Sequence, residues 1–139
     1  MITPFEDLKK EAQEIQEFLD QKIDESLIYD NPGLVMERGF ELSAYVSRTG
    51  KMKADAKYHL DGKLMIDLTA KVHHLIDHIG PAISAKVQNT IIDSVCKEEQ
   101  FLLLWCDRLN RSATHQLEWC RSVLASLREE SRAATYSNR

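Results

Sequence analysis

Glycine and proline are scarce in this chain: five glycines and three prolines in 139 residues. That scarcity excludes a turn-rich β fold and favours long helices. No stretch approaches the roughly 18 consecutive apolar residues that a bilayer-spanning helix needs. The first ten residues, MITPFEDLKK, hold no apolar core of a secretory leader, so an intracellular, cytoplasmic protein is expected. Cysteine is limited to Cys96, Cys106 and Cys120, an odd number on one expected helix. Cys96–Cys106 and Cys106–Cys120 would lie about 15 and 21 Å apart along a rigid helix, far beyond disulfide reach. They are expected to be reduced, small buried hydrophobes. A large basic excess is also lacking. The formal charge is −4, and residues 1–30 carry nine acids against three lysines, leaving only a small positive balance elsewhere. Bulk-charge binding to DNA is therefore disfavoured, although a local basic stripe can still contact nucleic acid.

The motifs of common catalysis are missing as well. There is no glycine-rich phosphate loop, no nucleophile elbow and no kinase or deaminase signature, so neither an enzyme nor a cofactor is expected. His73, His74, Asp77 and His78 form the one metal-like cluster. The His74/His78 pair has zinc-compatible spacing, but two ligands do not complete a site and no metal is expected.

What the chain has is helical periodicity. Thr3-Pro4-Phe5-Glu6 has the form of a capping box, with Thr3 as N-cap and Pro4 at the first helical position. Phe5, Leu8, Ala12, Ile15, Phe18/Leu19 and Ile23 then mark one apolar stripe of a helix about 22 residues long, with acids opposite. Asn31-Pro32 starts a second helix. In it Val35, Gly39, Leu42, Val46, Thr49, Met52/Lys53, Ala56 and Leu60 alternate at four and three residues, the period of a coiled-coil seam. Gly50 could loosen this helix, and Asp61-Gly62 has the look of a joint. Leu64, Leu68, Val72, Leu75/Ile76 and Ile79 continue the stripe to a stop at Gly80-Pro81.

From about Ala82 onward neither glycine nor proline occurs. An unbroken helix over 83–130 would be about 70 Å long. Its expected seam is Ile91, Val95, Glu98, Leu102, Trp105, Leu109, Ser112, Gln116, Trp119 and Val123, flanked by enough further apolar residues to demand several neighbours. The expected fold is therefore all-α: a helical bundle built on a long antiparallel hairpin, 34–60 against 86–128, and oligomeric. Its parts are an acidic amphipathic helix over 1–30, a hairpin or bundle core over 31–130 and a frayed tail over 131–139, one domain in all.

Arg108, Arg111 and His115 stack on one ridge of the last helix, with Trp105 and Trp119 about a turn beyond its ends. Guanidiniums, an imidazole and indoles suit an anion with an aromatic face, such as a nucleotide. The same ridge can instead be a solvated face paired with Asp107 or Glu118. Glu98, Ser112 and Gln116 put polar groups where a plain bundle has leucine, which fixes register or marks a ligand site. The candidate ligand-binding set is Arg108, Arg111, His115, Trp105, Glu98 and Gln116. Tyr45, Arg48, Lys51, Asp55, Tyr58 and His59 form a second polar and aromatic region that an antiparallel hairpin could bring to the arginine ridge.

The segments SVCKEEQFLLLWCDRLNRSATHQLEWCRSV (94–123) and SRTGKMKADAKYHL (47–60) resemble small helical proteins encoded in bacteriophage and prophage genomes. The resemblance extends over about residues 35–128 and rests on Glu98-Glu99, Trp105, Arg108-Leu109-Asn110-Arg111 and His115. It brings no catalytic activity. It implies a phage setting, in which such proteins block host defences, sequester signal nucleotides or assist recombination. The expected function is thus stoichiometric capture of a host protein or an anionic nucleotide, with an accessory role on single-stranded DNA as the alternative.

Overall fold

The computed structural model describes residues 1–79 and 85–138. Among them the chain is all-α, with no strand. Helix α1 spans Phe5–Asp20, α2 Gly33–Lys63, α3 Thr69–Ile79, α4 Ala85–Val95 and α5 Lys97–Ser137. A 3-10 turn, Glu25–Leu27, lies between α1 and α2, and a π-helical turn, Leu64–Leu68, joins α2 to α3. The expected stop at Gly80-Pro81 and start at Ala82 fall outside the described residues. So do the side chains of Leu68, Val72, Leu75, Ile76 and Ile79.

Helices α2 and α5 form the antiparallel hairpin. Gly39 faces Cys120, Asn110 bonds the backbone at Val46, Lys53 pairs with Asp107 and Lys63 with Glu99. From Gly39 to Lys63 the chain advances along α2 while its partners on α5 run back from Cys120 to Glu99. On α2 the expected seam holds: Val35, Leu42, Thr49, Met52, Ala56 and Leu60 are buried. On α5 the seam is half right. Leu102 and Leu109 are buried as expected, but their partners are Glu99, Cys106, Ala113 and Cys120. Glu98 and Ser112 are exposed, and Trp105 and Trp119 are not buried either. The reason is size. Cys106, Ala113 and Cys120 recur every seven residues and let α2 come close; a Cβ on Gly39 would sit 3.8 Å from that of Cys120. The indoles are too large for that gap and lie to its sides.

Helix α1 packs across both long helices through Leu8, Ala12, Ile15 and Leu19, all buried. Burial of an aliphatic side chain of this size contributes about 1.5–3 kcal/mol. With Leu117, Val123, Leu124 and Leu127 of α5 also packed on the core, much of that helix's wide apolar face is covered within the chain.

Three boundaries differ from expectation. The capping box at Thr3 does not form: Pro4 is the N-cap and makes no side-chain cap bond. Thr3 is engaged elsewhere, its amide donating to Asp55 at 3.2 Å and its carbonyl accepting from His59 Nε2 at 2.7 Å. Helix α1 ends at Asp20, and Ile23 lies beyond it. Neither Gly50 nor Asp61-Gly62 breaks α2, whereas the last helix is interrupted at Cys96, whose φ of −110° and ψ of 27° separate α4 from α5. Beyond that break α5 continues through Ser137, with residues 131–138 exposed.

Candidate functional site

The six candidate residues divide into three places. Arg108, Arg111 and His115 do share one face of α5, and it is the face turned away from the core. Phe101 and Leu104 precede them at the same spacing of three and four residues, and Trp119 follows. These three apolar side chains are 63%, 64% and 41% exposed. The outward ridge of α5 is therefore apolar at its N-terminal end, basic in the middle and closed by an indole. Sequence reading found the basic part and missed Phe101 and Leu104, though continuing the ridge two turns back from Arg108 reaches both.

The charges on this ridge are loosely held. Arg111 Nε lies 3.1 Å from Asp107 Oδ2, but its side chain is 73% exposed. Asp107 also accepts from Lys53 at 2.6 Å, and these two cations, Lys53 first, hold its carboxyl below the ordinary carboxylate range. His115 Nδ1 is 3.5 Å from Glu118, an ion pair only when the imidazole is protonated. Exposed pairs of this kind contribute about 0–1 kcal/mol, so the guanidinium can leave its carboxylate for a partner at little cost.

Trp105 and Glu98 belong to a second place. Trp105 donates from Nε1 to Gln16 of α1 at 3.0 Å and leans on Phe101, ring centres 5.7 Å apart. Together with Phe5, Lys9, Lys97 and Glu98, these rings line a cleft of about 470 Å³ between the starts of α1 and α5.

Gln116 has a structural task. Its Nε2 donates to the Leu19 carbonyl at 2.9 Å, and its Oε1 accepts from Arg38 at 2.9 Å. Arg38 also donates to the carbonyls of Phe18 and Gln21, both at 2.9 Å, and lies 3.9 Å from the centre of the Phe18 ring. Helix α1 has no basic residue in its last turn. Its exposed carbonyls are satisfied by Arg38 and Gln116 from the other two helices, which fixes where α1 ends.

The second polar region does not meet the arginine ridge; it holds α1 and the residues before it along their length. Arg48 makes a bidentate pair with Glu11, Lys51 bonds Asp55 and the Met1 carbonyl, and Tyr45 packs on Phe18 at 4.7 Å. Burial pushes the Asp55 carboxyl up, but Lys51 and the amide and hydroxyl of Thr3 together hold it below its ordinary value. Cys106, Ser112 and His115 are not brought together: Cys106 is buried in the core while the other two are exposed. Burial, with Glu11 adding, pushes the Cys106 thiol up to about 11, which leaves it protonated at neutral pH. The rings of His74 and His78 lie 4.2 Å apart, and among the described residues no three ligating side chains converge.

Helix α2 also meets α5 through a polar contact that sequence reading did not single out. Asn110 Nδ2 donates to the Val46 carbonyl at 2.9 Å and to Thr49 Oγ1 at 3.0 Å, while Thr49 donates to the Tyr45 carbonyl at 2.7 Å. Beyond it, where α2 gives way to the π turn, Lys63 pairs with the buried Glu99 at 3.0 Å. No family model, curated protein or solved structure matches this chain. Among the described residues no helix is long and apolar enough to cross a membrane.

Proposed function

We propose that this chain is a non-enzymatic, phage-type capture protein that binds a host protein on the outward ridge of α5. The supporting observation is the run of Phe101 and Leu104 beside Arg108, Arg111 and His115 on one rigid helix face opposite the core. Exposed aromatic and aliphatic anchors set among arginines are the composition of a protein interface core. Leu104, Arg108, Arg111 and His115 lie exposed along one helix face, a broad surface that fits another protein better than a small molecule. The partner chemistry it complements is an acidic surface with apolar sockets. A protein of this design acts by occupying a defence component rather than by turning anything over.

A second reading draws on the neighbouring cleft. Its volume suits a compact ligand, and Phe101 and Trp105 offer ring faces while Lys9 and Lys97 offer cationic rims. That combination favours an aromatic anion of the nucleotide class.

The two readings separate in one experiment. A photo-crosslinking residue replaces Leu104, or Ser43 on the exposed side of α2, in cells that express the full chain. Protein capture gives a discrete adduct at 104 and none at 43, lost in Arg108→Glu/Arg111→Glu. Equal labelling at both positions, or adducts indifferent to charge reversal, overturns it. The nucleotide reading instead requires a melting temperature that rises with added nucleotide and falls back in Trp105→Ala.

A further inference from the structure

Where α2 ends, the start of α1 and the start of α5 border a cleft of about 480 Å³, which shares only Phe5 with the cleft at Trp105. Three features make it unusual. The first is an orphan. Glu99 is 8% exposed; Lys63 reaches one of its carboxylate oxygens, and the other is buried with no hydrogen-bond partner. A buried carboxylate oxygen left unsatisfied costs about 1–3 kcal/mol or more, so such groups call for an explanation. The second is charge. Glu99 and Asp67 both line the cleft, against the single ammonium of Lys63, leaving a net charge of −1. Neighbouring groups register that imbalance. Lys63 is held above its ordinary value by its bond to Glu99 and by the charges of Glu99 and Asp67. The Cys96 thiol is pushed up by burial and further by the same two carboxylates. The third is the wall. Phe5 and Tyr58 each meet the His59 ring edge-on, at 5.9 and 6.0 Å between centres. His59 is fixed by its bond to the Thr3 carbonyl.

Asp67, one turn beyond Lys63, lines this cleft from within the π turn Leu64–Leu68. Single π turns within α-helices occur often at functional sites. A metal ion is poorly served, since no three ligating side chains converge among the described residues. An organic cation is well served. One positive charge neutralises the cleft, N–H donors can use a carboxylate oxygen that lacks a partner, and aromatic walls favour a cation near their faces.

We infer that the cleft between Tyr58, Asp67 and Glu99 is a binding site for one organic monocation, a primary ammonium or a guanidinium group. Glu99 and Asp67 take its N–H donors, and Tyr58 and Phe5 flank its alkyl stem. The Glu99 carboxylate turns its unpartnered oxygen toward the ligand while Lys63 keeps the other. The group can belong to a free amine or to the lysine or arginine side chain of another protein. The inference does not depend on the outward ridge of α5, which lies elsewhere on that helix.

Gly62 provides a clean block. It lines the cleft, and a Cβ there would meet no atom within 4 Å, so Gly62→Leu fills the space while improving helix propensity. The full chain is titrated with butylammonium chloride, with methylguanidinium chloride and with the blocked peptide Ac-Gly-Lys-Gly-NH2, following amide resonances by NMR, with sodium chloride as the ionic-strength control. Saturable shifts confined to residues 3–7, 58–67 and 96–99 are expected. Gly62→Leu should abolish them, and Asp67→Asn or Glu99→Gln should weaken binding about tenfold. Tighter binding of the peptide than of butylammonium assigns the site to a protein side chain; the reverse order assigns it to a free amine. Absence of saturable shifts, shifts reproduced by sodium chloride, or undiminished binding by folded Gly62→Leu overturns the inference.

Discussion

At Arg38 one guanidinium nitrogen lies 2.9 Å from three oxygens, two of them carbonyls at the end of α1 and one the side chain of Gln116. Removing it takes a charged donor from two carbonyls and an amide oxygen in a partly buried contact. Arg38→Ala should lower unfolding free energy by about 2–3 kcal/mol in urea denaturation, with Gln116→Ala following in the same direction. A conservative Arg38→Lys should recover only part of the loss, since an ammonium lacks the planar face that the guanidinium lays on the Phe18 ring. Asp55 gives a second residue-scale expectation. Its carboxyl is held below the ordinary value of 3.8, so its contribution to stability is fully present above that value and is lost as pH falls through the depressed one. The melting-temperature gap between the natural chain and Asp55→Asn should therefore be full at neutral pH and close in acid below 3.8. A gap unchanged from neutral to acid pH would contradict the pairing with Lys51 and Thr3. Lys51 is one turn from Asp55 and legible as a pair, but Thr3 and the partners of Arg38 are far away in the chain, and the apolar period that reveals a helix says nothing of which polar group will meet a distant one.

Among the elements, helices announced themselves and their ends did not. The stripes on α1 and α2 were legible because leucine and isoleucine at three- and four-residue spacing have one way to be buried. Thr3 reads as an N-cap by local chemistry, yet its amide and carbonyl are taken by Asp55 and His59, and a tertiary contact outweighs a cap of about 1 kcal/mol. Asp61-Gly62 reads as a joint, but nothing crowds Gly62 and the helix runs on into the π turn. The true interruption, Cys96, carries no breaker signal at all. The α5 seam was misread by one residue at alternate positions because bulk suggested Trp105 and Trp119, while close approach selected Cys106, Ala113 and Cys120. Of the candidate site, the arginine ridge was visible as spacing, whereas the orphaned Glu99 oxygen needed coordinates. Gly50 supplies a test at this scale. It sits inside α2, exposed, and a Cβ there would lie 3.8 Å from the Asn110 amide, an ordinary contact. Gly50→Ala should raise stability by about 1 kcal/mol in thermal or urea unfolding. A loss instead would mean that the α2–α5 spacing at Asn110 is tighter than that distance indicates.

Across the whole molecule, acid gathers on the exposed side of α1 and base on the outward ridge of α5, while all three cysteines are free and buried. Thiol reagents should therefore report global opening: labelling of Cys96, Cys106 and Cys120 in the native protein at mildly alkaline pH should be slow, accelerate together with urea, and track unfolding followed by circular dichroism. Fast labelling of one thiol without urea would locate a part of the bundle that opens by itself. The contact of Asn110 with the Val46 carbonyl and the Thr49 hydroxyl has a wider mechanical meaning. Hydrophobic ridges alone would let two long antiparallel rods creep past each other by a heptad with modest loss, because one layer of leucine resembles the next. An amide that fits a single notch removes that freedom. Shear between the rods is locked out, so whatever docks at either extremity can be felt at the other only by their tilting or bending about that notch.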